Sequence, residues 1–253
     1  MKKSSYNEKA KEWAEHLRTG KNLAHEYLEK PAMYKKLPNL KNKKILCVGC
    51  GSGEECDYLN KRGAKEIIGI DLSKELIKIA RESYPNLKFE VMNMEEMNFS
   101  KGYFDFIYSS LAMHYVKDWA GVLKKIKNFL KKDGVFIFST HHPALWGAEV
   151  NRSGGNTVKL LGYKKEVDPY RIEIFGDYLN VRKINDVWFG NMHVTYYNKP
   201  ISIMFNEIKK SGFEIVDIVE PRTVMGCKKD DLQYYELHQR IPLFIIFELK
   251  KIK

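Results

Sequence analysis

The sequence predicts a doubly wound α/β sheet of seven strands with flanking helices, and three observations predict it. Short apolar runs alternate with segments of helical periodicity from about residue 41 onward. The first run, Ile45 to Val48, opens directly into a loop carrying Gly49, Gly51 and Gly53. An acid, Asp71, closes the second run, Ile67 to Ile70, eighteen residues beyond that loop. Strands covered on both faces read as unbroken apolar stretches, and residues 45–48 read that way.

Taken in order, Trp13, Leu17, Leu23, Tyr27 and Leu28 recur at near-helical spacing and predict a helical lid over 1–40, with Tyr27 within reach of a ligand. The glycine loop removes side chains where a ligand approaches backbone amides. The helix that starts near Glu54 points its positive end at the same spot, so a head group belongs there. Asp71 can accept two hydroxyl hydrogen bonds from a ribose, which makes the ligand a nucleoside. Ser73 caps a helix with Leu76, Ile77 and Ala80 inward. Residues 88–99 give a third strand ending at Asn93 and Met94, and residues 103–116 a fourth ending at Ser109 and Ser110. The stripe Trp119, Val122, Leu123, Ile126, Leu130 predicts a helix that Lys131, Lys132 and Gly134 bring to an end. GVFIFST is the fifth strand. Pro200 starts a helix carrying Ile201, Met204, Phe205 and Ile208, stopped at Gly212, and FEIVDIVEP and PLFIIFELKK are the last two strands.

Residues 143–199 exceed any ordinary connection. They carry Trp146, Tyr163, Tyr170, Phe175, Tyr178, Trp188, Phe189, Tyr196 and Tyr197, with alternating segments YRIEIF and YLNVRKI. An inserted antiparallel cap over the site is the reading adopted; a packed subdomain or dimer contact is its alternative. The organisation expected is a lid at 1–40, a cofactor-binding core at 41–142, a substrate cap at 143–199, and the rest of the core sheet at 200–253.

Glycine spacing selects the cofactor. A dinucleotide fingerprint needs a third glycine at position 54, where this chain has glutamate, and a carboxylate there repels a pyrophosphate. The loop suits a cofactor with an amino-acid head group, S-adenosylmethionine. With ILCVGCGSG, IIGIDLS, the strand end at Asn93 and FDFIYSSLAMHYV in order, residues 40–142 resemble the class I S-adenosylmethionine-dependent methyltransferases, in particular their small-molecule branch. The resemblance implies a Rossmann-like, mostly parallel sheet whose final strand is antiparallel. It implies that Gly49, Cys50, Gly51 and Gly53 pass the methionyl part, that Asp71 binds the ribose, and that Leu72 flanks the adenine. Asn93 and Met94 then meet the adenine edge, and Ser109, Ser110 and Leu111 lie beside the methionyl amine. Two departures stand out: Cys47 where the family usually has aspartate, and Asn93 where an acid is common.

Composition narrows the surroundings. A chain of 253 residues, 44% apolar, can bury one core with a small cap. No apolar run is long enough to span a membrane and MKKSSYNEKAKEW lacks a signal-peptide stretch, so a cytoplasmic location is expected. Cys47 and Cys50 fall on a strand and a loop, which argues against a shared metal, and no metal is expected; Cys56 and Cys227 read as packing. The net charge of +11 invites nucleic acid, but it comes from lysines such as Lys124, Lys125, Lys127, Lys131 and Lys132 spread over helix faces. A small-molecule acceptor, with the protein a monomer or homodimer, is the expectation.

Ligands bind beyond the carboxyl ends of such strands. His114, His141, Trp146 and Trp188 are candidate acceptor contacts, with His142, the histidine before Pro143, as first candidate general base and His193 as second. The competing reading is that His142 only hydrogen-bonds its turn and His114 packs under the cofactor. The expected activity is methyl transfer to oxygen or nitrogen of a small molecule, yielding S-adenosylhomocysteine. Its competitors are an RNA or nucleoside methyltransferase, a nicotinamide oxidoreductase, and a silent cofactor-binding protein.

Overall fold

The computed structural model describes residues 4–146, 163–167, 169–174, 176–188 and 191–252. Phe175, Phe189 and the side chains of Trp146 and Tyr163 lie outside the described residues. Seven strands form one sheet: β1 (Lys44–Val48), β2 (Glu66–Asp71), β3 (Lys88–Val91), β4 (Phe104–Ser109), β5 (Leu130–His141), β10 (Phe213–Val219) and β11 (Phe244–Lys251). Their order is β10-β11-β5-β4-β1-β2-β3. β1 pairs parallel with both β2 and β4, and β2 with β3 and β4 with β5 are parallel as well. β11 runs antiparallel to β5 and β10, the antiparallel last strand that the resemblance implied.

The chain builds outward from β1 to β3 and then returns to place β4 on β1's other side. That reversal leaves a cleft beyond the carboxyl ends of β1 and β4.

Helices cover both faces: α1 (Ala10–Arg18), α2 (Lys30–Lys35), α3 (Glu54–Lys61), α4 (Lys74–Ser83), α5 (Trp119–Phe129), a short α6 (Pro143–Trp146), α7 (Ile201–Lys210), α8 (Cys227–Asp230) and α9 (Leu232–His238). Ser73 Oγ accepts from Leu76 N at 3.2 Å, the cap its position predicted, and Asp118 Oδ1 accepts from Gly121 N at 3.1 Å to start α5. One face of the sheet packs Trp119, Val122, Leu123 and Ile126 against Phe136 and Phe138, and the other packs Ile45, Phe106 and Ile137 against Leu59, Ile77 and Ala80. No helix among the described residues is long and apolar enough to cross a membrane.

Two boundaries differ from expectation. α5 ends at Phe129, because Leu130 turns extended (φ −70°, ψ 141°) and buries its side chain, so Lys131 and Lys132 belong to β5 and do not finish the helix. β3 ends at Val91, two residues before Asn93. Between residues 163 and 198 the described residues form two antiparallel hairpins. β6 (Tyr163–Glu166) pairs with β7 (Arg171–Ile174), and β8 (Arg182–Trp188) pairs with β9 (Met192–Asn198). The second hairpin alternates strictly along β9, burying Met192, Val194 and Tyr196 in a cluster with Leu28 and Phe244.

Candidate active site

The glycine loop is fixed to the sheet by its own amides. Gly49 N and Cys50 N both donate to Ile70 O, at 2.8 and 2.9 Å. A Cβ at Gly49 would stand 2.4 Å from that of Ala112, so the loop and the turn after β4 touch only because position 49 is glycine. Gly51 has φ +53° and open space where a side chain would be. Gly51 N donates to Asp71 Oδ2 at 3.0 Å and Ser73 N to Asp71 Oδ1 at 2.8 Å, which leaves each carboxylate oxygen a further lone pair. Burial pushes the Asp71 carboxyl up, and the backbone amides of Ser73 and Gly51 oppose that.

A cavity of about 760 Å³ opens from this loop. Leu72, Asn93 and Met94 line it beside Asp71. Asn93 Oδ1 already accepts from Glu95 N at 3.0 Å, so one carbonyl lone pair remains for a ligand. The N-terminal segment covers this end, with Tyr6, Trp13 and Leu17 in the lining and Tyr6 Oη 2.6 Å from Tyr115 Oη. Arg18 holds the cover by pairing with Glu54 at 2.6 Å, so Glu54 is turned to the lid at the start of α3.

The far end of the cavity is aromatic. The His114 and His141 rings stack at 3.7 Å with 9° between planes, and Tyr196 meets His141 edge-on at 5.0 Å. Trp188 lines the same space, its Nε1 donating to Asp186 Oδ2 at 2.7 Å, and Phe244 closes it below. Both His114 nitrogens are buried without a hydrogen-bond partner. Burial lowers its pKa to about 3, so the ring is neutral at ordinary pH.

Between the two ends lies a buried acidic group that the sequence reading did not single out. His25 and Glu55 line the cavity, and His25 Nε2 is 3.4 Å from Glu29 Oε2 and 3.5 Å from Glu55 Oε1. Burial drives the Glu55 carboxyl up to about 7, raises Glu29 and lowers His25. The signal that hid them is local: residues 25–29 form a π turn, a five-residue step that no apolar periodicity announces.

The structure therefore brings Gly49, Cys50, Gly51, Asp71, Leu72, Asn93, Met94, Ser110, Leu111, His114, His141 and Trp188 to one cavity. Gly53 caps α3 just behind the loop, and Ser109, fully buried, donates to Val48 O at 2.9 Å and ties β4 to β1. Three expected contacts are placed elsewhere. Tyr27 points outward, donating its hydroxyl to Asp230, because the π turn rotates His25, Leu28 and Glu29 inward in its place. His142 is buried off the cavity with both ring nitrogens engaged, Nε2 with Glu220 at 2.8 Å and Nδ1 accepting from Ala144 N at 3.1 Å. His193 is exposed on β9, while Thr195 and Tyr197, two and four residues on, face the cavity. Strand parity explains the histidine pair: Ser139 and His141 share a face, and His142 takes the opposite one.

A methyltransferase-domain family model matches residues 46–138. A Haemophilus influenzae protein described only as uncharacterized is 30% identical over 238 residues, covering 91% of this chain and 90% of that one. A solved structure described as a putative S-adenosylmethionine dependent methyltransferase from Listeria monocytogenes superposes with a TM-score of 0.72 at 26% identity, covering 89% of this chain and 97% of that one. The ubiquinone biosynthesis O-methyltransferase of Neisseria meningitidis is 29% identical over 108 residues, 40% of this chain, and the match spans 45% of that protein's length.

Proposed function

Because this chain belongs to the class I S-adenosylmethionine-dependent methyltransferases, we propose that it methylates an oxygen or nitrogen of a small-molecule acceptor held against His114, His141 and Trp188. The observation that carries the proposal is the continuity of one cavity, from the glycine loop and Asp71 at one end to stacked imidazoles under an aromatic hairpin at the other. The residues present fit the cofactor. Gly51 leaves backbone approach open, and Asp71 retains a lone pair on each oxygen for a ribose. S-adenosylmethionine supplies an electrophilic methyl on a sulfonium, and the transfer is an in-line displacement that gains most from orientation.

In this reading Leu72 flanks the adenine, Asn93 and Met94 meet its edge, and the Ser110–Leu111 turn adjoins the methionyl amine. The acceptor lies between Trp188 and the imidazole pair, of which His114 is held neutral by burial. A ring that protonates only near pH 3 is a weak base, so His114 packs against the acceptor and is not its general base. His141 takes over the place first expected of His142, whose nitrogens are occupied. Within 143–199 the β8–β9 hairpin acts as the substrate cap, and residues 147–162 lie outside the described residues.

Charge favours a small molecule over RNA. Among the described residues that line the cavity, Lys183 is the one lysine and there is no arginine, so the net charge of +11 is not concentrated there. The test is an acceptor screen with S-adenosylmethionine, reading S-adenosylhomocysteine release from small hydroxylated and aminated aromatics beside transcript RNA. Turnover on a small acceptor is expected. Turnover on RNA alone would contradict the proposal.

A further inference from the structure

Glu29 is fully buried and joins three separate parts of the chain. Its Oε1 accepts from Ser139 Oγ at 2.6 Å and from Ser110 Oγ at 2.9 Å, and Ser139 Oγ in turn accepts from Leu111 N at 2.9 Å. A hydroxyl has one proton. Since Ser139 gives its proton to Glu29, only its lone pairs are left to face Leu111 N–H, so the carboxylate decides which way the serine points. Leu111 has φ +47°, a left-handed conformation that a branched side chain rarely adopts and that persists only when its surroundings impose it. Leu111 lines the cavity between the glycine loop and the imidazole pair.

We propose that Glu29 is a positioning residue for methyl transfer, holding Leu111 in its left-handed turn through the Ser139 hydroxyl. The inference rests on the methyltransferase reading of this cavity. It also explains the π turn: Lys30 N bonds to His25 O, and the wide turn brings Glu29 to the ends of β4 and β5. His25 completes the arrangement, its Nε2 standing 3.3 Å from Ser110 Oγ, whose proton is committed to Glu29. Only Oε1 is needed as a double acceptor. Geometry therefore matters and charge does not, and the rise of the Glu29 pKa on burial is compatible with either protonation state.

The experiment compares E29A, E29Q, E29D and S139A by hydrogen exchange of the Leu111 amide in ligand-free protein and by calorimetric affinity for S-adenosylhomocysteine. Gln keeps a carbonyl oxygen in place, whereas Asp keeps the charge and withdraws the oxygen by one methylene. Leu111 exchange is expected to accelerate about tenfold or more in E29A, E29D and S139A and to stay near wild type in E29Q. Affinity falls about tenfold in the first three, and E29A/S139A is no worse than either single change, since both break one chain of bonds. Wild-type exchange at Leu111 in E29A, or in E29D should E29A not fold, would overturn the proposal. So would an E29Q variant as defective as E29A, which would make charge the operative property. Failure of the wild-type protein to bind S-adenosylhomocysteine would sink the methyltransferase reading instead, and the exchange data would still decide the role of Glu29.

Discussion

The two ends of the cavity are built in different ways. The end assigned to the cofactor is anchored on two short stretches, 49–53 and 71–73, held by the amides of Gly49, Cys50, Gly51 and Ser73 and by one carboxylate, Asp71, with Asn93, Met94 and the N-terminal segment lining its sides. The end proposed for the acceptor is made from side chains on four remote elements, with His114 after β4, His141 ending β5, Trp188 on β8 and Phe244 on β11. A backbone site is set by local turn geometry and tolerates change around it. A site of side chains depends on tertiary packing and is free to vary with the acceptor. The first end should therefore answer to cofactor affinity and the second to acceptor turnover.

Protonation gives the largest way to break that comparison. His114 at the acceptor end has its pKa lowered from 6.5 to about 3. As pH falls through that window the unfolded chain takes a proton and the fold does not, so up to about 5 kcal/mol of stability is lost. Glu55, in the first turn after the glycine loop, is raised from 4.5 to about 7. As pH rises through its window the unfolded chain loses the proton first, and up to about 3 kcal/mol is lost. Between about pH 4.5 and 6.5 the two slopes oppose and nearly cancel. Urea unfolding should show stability rising with pH in that interval in E55Q relative to wild type, and falling in H114Q. Parallel profiles in all three proteins would remove both assignments.

Asp71→Ala is next. It removes the double acceptor for a ribose and releases Gly51 N and Ser73 N, so affinity for S-adenosylhomocysteine should drop about a hundredfold or more in calorimetry. Unchanged affinity would displace the ribose from Asp71. Trp188→Ala should lower kcat/KM for the acceptor about ten- to thirtyfold while leaving cofactor affinity within about twofold. A matching loss of cofactor affinity would show that the ends are not separable.

The smallest effects sharpen the comparison from outside the cavity. His142→Ala should cost about 1 to 3 kcal/mol of stability, because the Ala144 amide loses its acceptor, and should leave turnover nearly intact. A large fall in kcat at unchanged stability would return His142 to the chemistry. Tyr27→Phe should leave cofactor affinity unchanged in the same titrations, its hydroxyl being spent on Asp230.

What could be read in the sequence follows the same division. The first two strands, the glycine loop, Asp71 and the Ser73 cap were legible because each depends on neighbours a few residues away. The antiparallel β11 came from the resemblance and no local pattern required it. The end of α5 was misplaced because Lys131, Lys132 and Gly134 make a plausible helix terminus, while Leu130 gains more by entering the core as strand. His141 and His142 are adjacent residues of similar chemistry. Only the register of β5 against β11, with His141 opposite Phe244, fixes which one faces the cavity. Glu29 was invisible for a stronger reason: its partners lie 81 and 110 residues away, and the π turn that aims it has no periodic signature.

The most direct measurement is calorimetric titration of wild type, D71A and W188A with S-adenosylhomocysteine, with NAD titrated in parallel. The account predicts stoichiometric binding of S-adenosylhomocysteine to wild type and W188A, a collapse in D71A, and no binding of NAD. Binding of NAD, or equal loss in W188A and D71A, would contradict a backbone-built cofactor end separate from a side-chain-built acceptor end.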